Sequence, residues 1–181
     1  MHLHQMQVNY HAGEDRILVR ISFAPGPGEE QGKEMRAWLT RRLVKLFWPG
    51  LMNALQTKVT LDKPQAAHAS PEIVQMQHQA IVHEETQSGK FTKSKEPLPQ
   101  IYPTHEEPAL VVNARFAVAP NQPVRIHFQT LHGDGFQMNF SDKVLHAFCN
   151  LLQNAVKHAQ WEMALSLPGM AEQSVENRTL N

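Results

Sequence analysis

Histidine is the most conspicuous chemistry-bearing residue in this chain, eleven among 181, and imidazole suits both metal ligation and proton transfer near neutral pH. The spacings do not assemble a site. His2 and His4 alternate onto one face of an extended segment, but no carboxylate or cysteine motif stands by to complete a metal shell. His78, His83 and Glu84 lack the His-Glu-x-x-His spacing that sets two imidazoles one helical turn apart, and they read as solvated. His146 and His158 read as surface or boundary positions on or beside a final helix. Cys149, the single cysteine, falls beside the apolar stripe of that helix and reads as packing rather than as a nucleophile. No nucleophile elbow, phosphate loop or dinucleotide fingerprint occurs, and the prolines of Pro25-Gly-Pro-Gly28 remove N–H donors that a phosphate cradle needs. Asp134, between two glycines, reads as a hairpin-turn residue. The sequence therefore assigns no catalytic residue, no metal and no cofactor.

Arginine offers a different chemistry, because a guanidinium pairs with carboxylates or phosphates through a planar fork. Val19-Arg-Ile-Ser-Phe23 and Val124-Arg-Ile-His-Phe128 agree at four of five positions, each with an arginine between apolar residues. In a strand, alternate side chains point to opposite faces. Such alternation turns Arg20, Arg36, Trp38, Arg115, Arg125 and His127 away from the apolar face, together with Gln5, Gln7, Gln137 and Asn139. These six Arg, Trp and His residues are the predicted binding set. Pairing of the arginines with cross-strand carboxylates, on an ordinary polar sheet face, is the plainer alternative.

The elements that must carry this set follow from the apolar period. Segments near His4–Tyr10, Ile17–Phe23 and Glu34–Leu39 alternate apolar and polar residues, the first two joined by the turn-forming His11–Asp15. Thr40 is placed to cap a helix starting at Arg41, in which Leu43, Phe47, Leu51, Ala54 and Leu55 recur at helical spacing. Pro49 predicts a kink there, or two short helices. Leu110–Val118, Val124–Phe128 and Phe136–Phe140 repeat the order, and Ser141 caps a second helix whose Val144, Leu145, Phe148, Leu152, Ala155 and Val156 align with the first. The chain thus reads as a duplicated βββα unit, 1–61 and 109–165. The expected fold is α+β: a mostly antiparallel sheet with both helices on its apolar face.

Between the units, residues 62–108 form a polar insertion. Ser70-Pro71-Glu72 opens an exposed helix over about 71–86, with Ile73, Ala80 and Ile81 as its weak stripe. Gln87–Pro103 has too little apolar surface to order itself, and 166–181 reads as a flexible tail.

Composition bounds the function. Lys plus Arg equals Asp plus Glu at 17 each, so the whole chain lacks the positive excess that drives binding to nucleic acid or anionic membrane. No stretch approaches the roughly 20 apolar residues of a membrane span, and MHLHQMQVNY lacks a basic region followed by an apolar run. The cytoplasm is the expected address and no membrane partner is expected. The leading expectation is a non-enzymatic interaction or assembly/adaptor protein that binds another protein or peptide. An accessory nucleic-acid-binding protein using the Arg-rich open face stands second, and an enzyme third. Self-association into a homo-oligomer is a further option.

Overall fold

The alternation written in the sequence becomes a sheet. The structure, a computed structural model, describes residues 3–88, 100–102, 107–133 and 135–169. His2, Asp134, most of the 87–103 stretch and the tail from Met170 on lie outside the described residues. Strands β1 (Leu3–His11), β2 (Arg16–Phe23) and β3 (Gly32–Thr40) precede α1 (Arg41–Asp62). A short 3-10 segment (Pro64–Ala69) leads into α2 (Ser70–Ser88). Then come the two-residue β4 (Gln100–Ile101), β5 (Ala109–Ala117), β6 (Val124–Thr130), β7 (Gly135–Phe140) and α3 (Asp142–His158). The sheet runs β1-β2-β3-β5-β6-β7, with β4 beside β3. Within each half the ladder is antiparallel. The halves meet at a parallel seam of two pairs, Ala37 with Ala109 and Trp38 with Leu110.

Each helix starts where a hydroxyl accepts a free first-turn N–H. Thr40 takes that of Leu43 at 3.2 Å and Ser141 that of Val144 at 3.5 Å. Having started beside its own half, each helix packs on the other. Phe47 of α1 stacks on Phe116 of β5 at 5.2 Å and meets Phe128 of β6 at 6.0 Å. Gly50 makes this approach possible, since a Cβ there would stand 2.8 Å from the Phe116 ring. In turn α3 packs on β1. Both crossings are tied at the far end by an aspartate. Asp62, at the end of α1, accepts the N–H of Asn121 in the β5–β6 turn at 2.7 Å. Asp15, in the β1–β2 turn, accepts Trp161 Nε1 just past α3 and the Tyr10 hydroxyl, both at 2.9 Å. Those two bonds hold the Asp15 carboxyl below its ordinary range.

The core lies between the helices and one sheet face. Met6, Ile17, Val44, Leu51, Ile126, Leu145 and Leu152 are fully buried there. Three expectations change. First, α1 runs unbroken through Pro49: burial of Phe47, Trp48, Leu51 and Met52 on either side outweighs one missing hydrogen bond. Second, α2 is not an exposed helix but packs on α1 and α3. Its buried stripe is Ser70, Val74, His78 and Glu85, mostly polar, and Ala80 is exposed. Third, His78 and His146 are buried at 6% and 0% exposure, their rings facing across α2 and α3 at 5.6 Å.

Candidate functional site

Among the described residues no helix covers the sheet face opposite the core, because α1 and α3 lie on the apolar side and α2 stacks on them. Register places the predicted binding residues on this open face in two groups. Gln7, Arg20 and Arg36 form one rung of the first half, with Leu18 and Trp38 on the next. Arg115, His127 and Gln137 form a rung of the second half, with Ala117, Arg125 and Asn139 beside it. The five-residue match between β2 and β6 is not the match made by hydrogen bonding. Leu39 pairs with Ile17, whereas Phe140 pairs with Val124. By ladder position, His127 therefore stands where Arg20 stands. The shift is two residues, so it preserves the face.

The two groups differ in chemistry. In the first half the arginines converge on Glu34, a carboxylate at 5% exposure. Arg20 reaches both its oxygens at 3.1–3.3 Å, and Arg36 Nε reaches it at 2.6 Å. Arg36 also lies 4.0 Å from the ring centroid of Tyr102 and bonds its hydroxyl. Trp38 stands edge-on to His11 at 5.6 Å. These side chains fasten strands and the Tyr102 segment to one another. Glu34 was not singled out in the sequence, although it shares parity with Arg36 and Trp38; that parity was the available signal.

In the second half Arg115, Arg125 and His127 are exposed, and among the described residues neither arginine meets a carboxylate. Their neighbours on this face are Asn113, Ala117, Gln129, Gln137 and Asn139. Gly135 leaves room for the His127 ring, which would lie 2.8 Å from a Cβ there. The patch is thus donor-rich, acid-free among the described residues, and without a phenyl or indole ring, since Phe116, Phe128 and Phe136 point to the core side.

Comparison with known proteins places the chain in no family: no family model, curated protein or solved structure matches it.

A separate cleft of about 700 Å³ opens where the halves meet, lined by Glu14, Arg16, Trp38, Glu107, Leu110 and His132 among others. It holds two carboxylates and one guanidinium, with Arg16 3.6 Å from Glu14. Among the described residues no three His, Cys, Asp or Glu side chains are placed to hold a metal ion. Cys149 is fully buried, and burial pushes its thiol pKa up, away from the reactive thiolate. No helix among the described residues is long and apolar enough to cross a membrane.

Proposed function

We propose that this is a non-enzymatic interaction protein whose second-half open face, centred on Arg115, His127 and Arg125, receives an acidic segment of another protein. One contrast carries the reading. The first-half arginines are spent on the buried Glu34, while those of the second half stand exposed with no carboxylate among the described residues. An exposed guanidinium with amide neighbours gives a carboxylate a charged fork and extra donors.

Single-stranded nucleic acid is the second reading, and the patch suits it less well. Sequence-tolerant strand binding combines basic grooves with aromatic platforms on which bases stack. Here the open-face tryptophan is in the other half, against His11. The chain as a whole also carries no positive excess.

Exposed ion pairs contribute about 0.2–1 kcal/mol each, so affinity for a short acidic stretch should be modest and weakened by salt. Fluorescence anisotropy separates the readings, using a labelled glutamate-rich peptide and an oligothymidylate of equal charge at low and high salt. The peptide is expected to bind, with about a tenfold loss in the variant carrying Arg115→Ala and Arg125→Ala. Tighter binding of oligothymidylate would favour the nucleic-acid reading. Indifference of both probes to the substitutions would remove the patch from consideration.

A further inference from the structure

Two apolar hollows lie against each other on the core side of the sheet. The outer one is a pocket of about 390 Å³, with Leu3, Met6 and Phe23 of β1 and β2 on one side and Met138, Phe140 and Val144 of β7 and α3 on the other. The two ends of the sheet thus face each other across it. The inner one is a void of about 10 Å³ between the halves, reached by Val19, Met35, Ala37 and Phe128. Ile21, Met138 and Phe140 are walls of both. Such a void has room for little more than one water and, being apolar, stays dry, so its lining forfeits packing contacts. Met138 is the wall best able to give, because an unbranched thioether chain adapts its shape readily.

We infer that the outer pocket binds an uncharged amphiphile with a single alkyl chain of medium length. The chain would rest on Met6, Ile21, Met138 and Phe140, which are 0%, 3%, 9% and 1% exposed, and would press Met138 toward the inner void. Its polar end would sit at Asn139 and Ser141, which line the pocket and are exposed. The Ser141 oxygen accepts the Val144 N–H, and its O–H can donate as well. An apolar lining with a few polar groups at one end is the usual make-up of a small-molecule site. Charge decides the class of ligand. Unlike the cleft where the halves meet, neither hollow has a Lys, Arg, His, Asp or Glu among its described lining residues. A charged end would lose hydration there and gain no counter-charge. The volume is near the lower end of the 300–1,000 Å³ typical of ligand sites, which suits a chain on the order of eight carbons. Arg115, Arg125 and His127 line neither hollow, so this site stands or falls apart from the acidic-segment reading.

The test is a titration of the full chain, isotopically labelled at the methionine methyls, with octanol and separately with octanoate at neutral pH. Octanol should give saturable shifts at Met6, Met138 and, across the shared wall, Met35, while Met76, 68% exposed on α2, stays unmoved. Octanoate should bind about tenfold more weakly or worse. Val144→Glu sets a carboxylate in the pocket wall and also completes a Ser-x-x-Glu capping box with Ser141, so α3 should persist, with far-UV circular dichroism as the check. Octanol binding should then fall about tenfold or more. Leu3→Glu, on the opposite wall, is the second variant and should act alike. Shifts that never saturate, that centre on Met76, or that leave Met6 and Met138 unmoved overturn the inference. So do octanoate binding as tightly as octanol and undiminished octanol binding in the folded variants.

Discussion

Glu34 lies buried in β3 with Arg20 and Arg36 on its two oxygens, and removing its charge leaves two guanidinium groups facing an amide. Arg20 is 41% and Arg36 24% exposed at the side chain, so water screens much of the loss. Glu34→Gln is expected to destabilise the fold by about 1–2 kcal/mol, measured by urea denaturation. An unchanged midpoint would mean the cluster is incidental. The alternation that placed Arg20 and Arg36 on the open face was readable from the sequence. That the same rule put a carboxylate between them was equally readable, but burial of that carboxylate was not. Arg36, on one of its oxygens, is itself held by Tyr102, sixty-six residues along the chain, and a contact that distant leaves no local pattern.

At the scale of elements, α2 is the one whose role could not be read from its apolar residues. Its buried stripe contains one fully buried aliphatic side chain, Val74, with Ile73 partly buried against the core; His78, the pairing of Glu84 and Glu85 with Lys143 at 2.5 and 3.4 Å, and contact with α1 add to its hold. The His78–His146 pair makes that hold sensitive to acid. Burial, with a smaller contribution from His78, pushes His146 down to about 4. Burial also lowers His78, opposed by a hydrogen bond that its ring donates to Gln153. The other charged groups along the interface are Glu84 and Glu85 on α2 and Lys143 on α3. A histidine depressed below its unfolded value of about 6.5 takes up its proton more readily when unfolded. Its contribution to stability is complete above about pH 6.5 and is lost as pH falls toward 4. For His146 this amounts to something on the order of 3 kcal/mol. Denaturation at about pH 7 and about pH 4.5 should therefore show a marked loss in the wild type and a smaller one in His146→Leu. Equal losses would place the acid sensitivity elsewhere. By contrast α1 and α3, with their hydroxyl caps and apolar stripes, follow from sequence directly, because their signals are local.

For the whole molecule, the order strand-strand-strand-helix, twice, is written in the sequence, but the exchange of helices between halves is not. That exchange depends on Phe47 finding Phe116 and on Trp161 finding Asp15, contacts that binary pattern leaves undetermined. The exchange has a consequence for function. With both helices and α2 on the apolar side, no helix among the described residues lies on the opposite face of the sheet. Glu34 then divides that face into a self-satisfied half and a half with charge to offer. The account's central claim is that the second half is where a partner binds. Titrating the isotopically labelled chain with a glutamate-rich peptide and following backbone amide shifts tests this most directly. The account predicts shifts concentrated at Asn113, Arg115, Arg125, His127, Gln137 and Asn139. Shifts centred on Arg20, Arg36 and Trp38, or on α2, would contradict it.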